Sequence, residues 1–291
     1  MFSTFDSINV VDDGPFSFPD HEVQLYIRRL DLIDPVYGGN KWFKLKYNLL
    51  KAKQKGFTKL ISFGGAYSNH IAALARAGKM SGFETVGIIR GENTSINNKT
   101  LKTAALDGMK LVFCDRERYR RKNESGFLSE FLPNHNEYYI IPEGGSNYEG
   151  MLGCAEIISQ ADPIFDVVTV SCGTGTTAAG ILTSLQPHQQ LIGFSVLKDR
   201  GSIEENILRL VGNNIVAEWH LEHDFHFGGY AKKTTELLSF IEEFGAKYKI
   251  QIEPVYTAKM FFGLLTLIHS GYFKKGTKIL AIHTGGLQYI E

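Results

Sequence analysis

Residues 165–185 read FDVVTVSCGTGTTAAGILTSL. A valine-rich apolar run leads into Gly173-Thr174-Gly175-Thr176-Thr177 and then into a stretch of helix formers. That order predicts a buried strand, a tight turn and a helix. Backbone N–H groups of such a turn point inward, and the start of a helix adds partial positive charge. Together they can bind a phosphate without a cation. Two common nucleotide loops are excluded. There is no Gly-Lys-Ser/Thr, and Ala178 stands where a dinucleotide fingerprint needs its third glycine. The bland alternative is a glycine-rich connection that only turns the chain.

The same grammar recurs on both sides. KLISFGG, ETVGIIRG, KLVFCD, EYYIIPEGG, QLIGFSVL and KKGTKILAIHTGG read as strands or as strands with their turns. NKWFKLKYNLLKAKQKGF, SNHIAALARAGKMSGF, NKTLKTAALDGM and YEGMLGCAEIISQ read as helices. Alternating strands and helices predict an α/β fold with parallel, helix-covered sheets. Ligands in such folds sit at the carboxyl ends of strands. Three strands end in glycine-rich turns, SFGGAYSN, VSCGTGTT and IHTGG, which are expected to form three walls of one site.

Composition narrows the function classes. A chain of 291 residues makes one large or two modest domains, and 43% hydrophobic with 21% charged residues is ordinary for a soluble globular protein. Lys+Arg and Asp+Glu balance at 31 each, so the basic excess typical of a nucleic-acid partner is missing. Cys114, Cys154 and Cys172 show no C-x-x-C spacing, so neither a metal site nor a disulfide framework is expected. No apolar run approaches the roughly 18 residues of a membrane span. The opening MFSTFDSINVVDDGPFSF has no basic segment before a long apolar core, so the default expectation is a cytoplasmic protein.

Residues 37–50, YGGNKWFKLKYNLL, place Lys41, Lys44 and Lys46 close behind two glycines. Lys44 and Lys51 are seven apart, which fits one solvated helix face. Lys41 differs, because it follows Gly38-Gly39-Asn40 at the helix start. A lysine amine attacks an aldehyde once burial or a neighbouring cation destabilises its charge. With a phosphate-binding turn elsewhere, the matching partner carries both an aldehyde and a phosphate, and pyridoxal 5'-phosphate is such a cofactor. The ordinary alternative for Lys41 is a surface lysine. In GGAYSNH, residues 64–70, Ser68 reads first as a helix N-cap, with Asn69 and His70 incidental.

Taken together, YGGNKWFKLKY, GGAYSNH, IPEGGSNYEGMLG, SCGTGTTAAG, EPVYTAK and IHTGG, in this order, resemble the pyridoxal-phosphate-dependent family of D-cysteine desulfhydrase and 1-aminocyclopropane-1-carboxylate (ACC) deaminase. The resemblance runs from about Tyr37 to Gly286. It implies a two-domain, tryptophan-synthase β-like fold (fold type II), with 1–45 and 142–291 as the larger domain and 46–141 as the smaller. It implies that Lys41 carries the cofactor, Asn69 bonds its ring hydroxyl, and Gly173, Thr174, Gly175, Thr176 and Thr177 cradle its phosphate. Thr284 would lie by the ring nitrogen. Ser68, with Asn69, His70 and Thr257, would meet the substrate, and Ser68, Tyr256 and Tyr230 join Lys41 as catalytic residues. A homodimer and a small amino-acid substrate are expected.

Two positions divide the branches. ACC deaminases place Glu after the tyrosine of the PVY block and Leu before the last Gly-Gly, whereas here these are Thr257 and Thr284. Hydroxyls at both, and SNH in place of SNQ, match the desulfhydrase pattern. The chain departs from the family at Trp42, Phe43 and Tyr67, which are expected to touch the entrance of the site. The reading is β-elimination from D-cysteine to pyruvate, sulfide and ammonia. The alternatives are ACC deamination, elimination from another β-substituted amino acid, or a cofactor- or nucleotide-binding protein without turnover.

Overall fold

Val167–Cys172 forms a strand in which all six residues are buried. Its β-branched valines suit a pleated surface covered on both faces. The computed structural model describes residues 10–34, 38–92, 98–159, 162–213 and 215–287, so Tyr37, which opens the first block of the resemblance, lies outside them. The strands are β1 (Asp12–Phe18), β2 (Val23–Arg29), β3 (Lys59–Gly65), β4 (Glu84–Arg90), β5 (Lys110–Cys114), β6 (Tyr138–Ile140), β7 (Val167–Cys172), β8 (Gln190–Ser195), β9 (Glu218–Glu222) and β10 (Lys278–His283). The helices are α1 (Asn40–Gln54), α2 (Asn69–Ser81), α3 (Lys99–Leu106), α4 (Arg116–Arg120), α5 (Tyr148–Ala155), α6 (Thr176–Leu182), α7 (Ser202–Val211), α8 (Thr235–Tyr248) and α9 (Thr257–His269).

Six strands form one sheet in the order β1-β2-β10-β7-β8-β9, and four form a second in the order β5-β4-β3-β6. The second is parallel throughout. The first is parallel except at its edge, where β1 runs antiparallel to β2. The α/β class expected from the alternation is the one found. The β1–β2 hairpin escaped that reading because charged residues break its apolar pattern. Arg28 is buried, and its guanidinium is paired with Asp12 at 2.7 Å and Asp162 at 2.6 Å, so a strand interior holds an ion network.

The helices that position the site pack through glycines. α1 lies on α5, and α5 lies on α6. An added Cβ at Gly153 of α5 would overlap the carbonyl oxygen of Phe43, and one at Gly180 of α6 would sit 2.5 Å from the Met151 oxygen. Close approach of three helices thus fixes the start of α1 relative to the turn after β7. Trp42 and Phe43 belong to this packing. Both are buried in the core cluster that also holds Leu49, Ile71, Val168 and Ile181, so they do not touch the entrance of the site as expected. Their side chains leave the first turn of α1 on the core side. Tyr67, the third departure, is 67% exposed.

Replacing Gly153 by alanine is expected to push α1 off α5 and lower stability by about 1–3 kcal/mol. Urea denaturation checks this: a midpoint equal to that of the unaltered protein would show that the α1–α5 contact has room to give.

Candidate active site

The chain leaves β10 at Thr284 and crosses the start of α1. Asn40 donates its backbone N–H to the Thr284 carbonyl oxygen at 3.2 Å. Gly39, at φ 70°, caps the helix, and an added Cβ there would overlap the same oxygen. Only glycine combines this left-handed φ with so close an approach. Lys41 therefore lies in the first turn of α1, beside the end of β10. Its Nζ donates to Asn40 Oδ1 at 3.1 Å. It lines a cleft of about 510 Å³ together with Asn40, Asn69 and the 284–287 turn. That volume is in the range of small-molecule sites. Burial, with the like charge of Lys44 behind it, lowers the Lys41 pKa to about 7. A large share of the side chain is then free amine at neutral pH, the form that attacks carbonyl carbon.

Lys44 is one helical turn further and only 3% exposed. Burial holds its pKa below the ordinary lysine value. It makes no ion pair with a carboxylate among the described residues, and its stem lies against Gly145 and near His70. The solvated face expected for Lys44 and Lys51 is real only for Lys51, which is part-exposed and paired with Glu149. The first half of α1 is enclosed, so the same helix stripe is buried at Lys44 and open at Lys51. A buried ammonium without a counter-ion is costly unless an anion meets it. Lysine spacing alone could not reveal this residue.

The β7–α6 turn is bonded to its surroundings on both sides. Thr176 Oγ1 donates to Ser146 Oγ at 2.8 Å and lies 3.1 Å from Thr174 Oγ1. Asn206 Nδ2 donates to the Thr174 carbonyl oxygen. Thr177 Oγ1 accepts from Asn40 Nδ2 at 2.9 Å, which ties the turn to the residue beside Lys41. Gly175 has φ 76°. The opening N–H groups of α6 have no acceptor within the helix. Ser171 Oγ, at the end of β7, lies 3.3 Å from Thr284 Oγ1.

Ser68 accepts the Ile71 N–H at 3.3 Å and caps α2, as its sequence position predicts. Asn69 lines the cleft, and Gly286 (φ 91°) approaches its amide so closely that an added Cβ would be 2.9 Å from Nδ2. His70 is buried and turned away from the cleft lining. Ser62 Oγ donates to the Ile141 oxygen at 2.7 Å, so it accepts from His70 Nε2 at 2.8 Å. His70 Nδ1 is left without a protein partner. Burial, then Lys41 and Lys44, lower the imidazole pKa to about 3, so the ring is neutral.

Tyr256 stands at the start of α9 with its ring against Gly173, where an added Cβ would be 3.0 Å from Cε1. Its hydroxyl lies 3.5 Å from that of Tyr230, and the rings meet edge to face at 6.0 Å. Thr257 is outside the cleft lining. It is fully buried, and its Oγ1 accepts the Glu253 N–H at 2.9 Å, so its hydroxyl is turned into the helix start. Glu253, missed in the sequence, organises that start. One of its oxygens accepts from Tyr256 N and Thr257 N, each at 2.8 Å, and the other from Val255 N at 2.7 Å. Burial raises its pKa against the pull of these donors. An acidic residue at the foot of a helix was the signal that could have found it.

The cleft thus unites Lys41, Asn69 and Thr284, and the cradle and Tyr256 adjoin it through Asn40, Ser171 and Gly173. The donors suit a group bearing an aldehyde and a phosphate: a free amine at Lys41, a buried lysine at 44 without a carboxylate partner among the described residues, and the opening N–H groups of α6.

Comparison with known proteins agrees. Residues 15–285 match the model of the family described as pyridoxal-phosphate dependent enzyme. The chain is 31% identical over 279 residues to a Pyrococcus horikoshii protein named "Putative 1-aminocyclopropane-1-carboxylate deaminase", covering 90% of this chain and 84% of that one. It is 27% identical over 285 residues to the D-cysteine desulfhydrase of Serratia proteamaculans, covering 90% and 86%. A solved structure described as an ACC deaminase homologue superposes with a TM-score of 0.79 at 28% identity, covering 93% of this chain and 86% of that one.

The Lys41 amine should take up pyridoxal phosphate at a rate that rises as pH climbs through about 7 and levels off above it. Stopped-flow absorbance on protein stripped of cofactor reads this directly, and a rate still climbing near the ordinary lysine pKa would contradict the buried setting. Replacing Lys44 by methionine should weaken cofactor affinity by at least tenfold, as expected for loss of a charge-assisted contact of about 1.5–3 kcal/mol; equilibrium dialysis would measure it.

Proposed function

The chain belongs to the pyridoxal-phosphate-dependent enzymes, and we propose that it catalyses β-elimination from D-cysteine, in which D-cysteine and water give pyruvate, hydrogen sulfide and ammonia. The observation that carries this reading is the Lys41 amine, held near neutrality at the end of β10 and one hydrogen-bonded residue from the Thr177 hydroxyl.

Lys41 would hold the cofactor's aldehyde carbon, and Gly173–Thr177 with Lys44 would hold its phosphate. Asn69 would meet the ring hydroxyl and Thr284 the ring nitrogen. The bound cofactor supplies an electron sink that makes the α-C–H bond of an amino acid acidic. Every other contribution is the protein's. The pKa of Lys41 suits the removal and return of a proton near pH 7. Ser68 and Asn69, at the start of α2, orient the substrate carboxylate, a gain in positioning rather than in chemistry. Tyr256 and Tyr230 supply phenol hydroxyls on the side of Gly173. Thr284 offers a hydroxyl partnered by Ser171, with no carboxylate in its place. A hydroxyl beside a ring nitrogen favours a weaker electron sink, sufficient for loss of thiolate and less suited to opening a cyclopropane.

Thr257 carries less of this argument than its sequence position promised, because its hydroxyl is engaged by Glu253. ACC deamination to 2-oxobutanoate and ammonia is the second reading, favoured by the names of the relatives above 30% identity. The same proposal includes the division into 1–45 with 142–291 and 46–141, where α1 runs unbroken across the first boundary. It also includes a homodimer in the cytoplasm. No helix among the described residues is long and apolar enough to cross a membrane.

Purified, cofactor-loaded protein should release pyruvate and sulfide from D-cysteine and no 2-oxobutanoate from ACC. 2-Oxobutanoate from ACC would overturn the branch assignment. Lys41→Ala should abolish turnover and the visible absorbance of lysine-bound cofactor; wild-type turnover in that variant would remove the foundation of the reading.

A further inference from the structure

Lys259, on the first turn of α9, is fully buried and takes no part in the cleft described above. Its Nζ donates to two backbone carbonyls, His226 O at 2.9 Å and Gly229 O at 2.7 Å. No carboxylate pairs with it among the described residues, although Glu253 lies near enough to favour its charge. Burial lowers its pKa only to about 8, so at neutral pH it is still an ammonium. A core position filled by methionine or leucine would avoid the desolvation of a charge. The cost calls for a task at those two carbonyls.

The carbonyls belong to a loop that backbone preference does not maintain. Phe227 (φ 52°), Gly228 (φ 88°), Gly229 (φ 111°) and Ala231 (φ 56°) all have positive φ. Two of these are not glycine, and such residues keep this conformation only where their surroundings impose it. Each carbonyl already accepts one backbone N–H, from Gly229 to His226 O at 3.0 Å and from Lys232 to Gly229 O at 3.1 Å. The ammonium fills a second lone pair on both. It thus spans the ends of the turn and fixes it to α9. The next residue along is Tyr230, 48% exposed, whose hydroxyl meets that of Tyr256, the N-cap of the helix that carries Lys259.

We infer that Lys259 is a positioning residue: by bridging the His226 and Gly229 carbonyls to α9, it holds Tyr230 against Tyr256 and sets where the Tyr230 hydroxyl stands over the site. This rests on the proposed place of Tyr230 in catalysis. Packing alone predicts something different, because a methionine would fill the same space without bridging the carbonyls.

The test is a double-mutant cycle with hydrogen exchange as a second readout. Lys259→Met and Tyr230→Phe are made singly and together in the cofactor-loaded enzyme, with turnover followed on whichever of D-cysteine and ACC is consumed. Lys259→Gln, which keeps a neutral N–H donor, is carried alongside in case the methionine variant does not fold. In Lys259→Met, amides of residues 226–232 are expected to exchange at least tenfold faster, with α8 and the β7–β8 pair unchanged. Turnover should fall about tenfold, and in the Tyr230→Phe background the same change should cost almost nothing further. Unchanged exchange in the loop would show that the bridge does not hold it, and would overturn the inference. So would full additivity of the two substitutions, which would mean that Lys259 acts elsewhere than through Tyr230. Wild-type turnover in Tyr230→Phe alone would instead remove Tyr230 from the proposed mechanism, with exchange still deciding whether the bridge exists.

Discussion

The start of α1 lies against the end of β10 because Gly39 has no side chain to keep it away. The Thr284 carbonyl occupies the space that any Cβ at 39 would need, and Asn40 donates its N–H to that oxygen. This single backbone crossing places Lys41 in the cleft, sets Asn40 within reach of Thr177, and brings the hydroxyls of Ser171 and Thr284 together. The packing of α1 on α5 and of α5 on α6, through Gly153 and Gly180, holds the other end of the same arrangement. Removing a side chain costs conformational entropy, and here it is offset by an approach that no other residue permits.

Around that crossing the protein gathers lysine amines with little access to water. Lys41 and Lys44 lie a helical turn apart; the charge of Lys44 lowers the readiness of Lys41 to hold a proton, and both lower that of His70. Lys41 titrates near neutrality and so suits proton transfer and attack on a carbonyl. Lys44 has no acidic partner among the described residues, which suits the proposed place of an anion at the neighbouring turn. Lys259 has a depressed pKa from the same physical cause but satisfies its charge with carbonyls. The three lysines differ in what faces each amine, and on the proposed reading that difference separates a nucleophile, an anion partner and a structural bridge.

Much of the fold was legible in the sequence because its signals are local. The valine run before Gly173 reads as a buried strand whatever surrounds it, and Ser68 caps α2 through its own neighbours. Arg28 hid β2, since a charge in a strand interior is intelligible only when Asp12 and Asp162 arrive from distant positions. Lys44 read as solvated because helix spacing gives a face but not its depth. Thr257 read as a substrate contact because a motif gives a position but not a rotamer, and Glu253 had already taken its hydroxyl.

By itself the sequence determined the alternation of strands and helices, the glycine–threonine turn, the exceptional place of Lys41 after two glycines, and through its ordered blocks the family. These follow from covalent preference and spacing within a few residues. Tertiary structure decided which of the five lysines of α1 turned inward, which partners the hydroxyls found, and how the Tyr230 loop is held. Burial and partnership are properties of groups far apart in the chain. Since desolvation sets the pKa values of this site, its chemistry exists only once those groups have met.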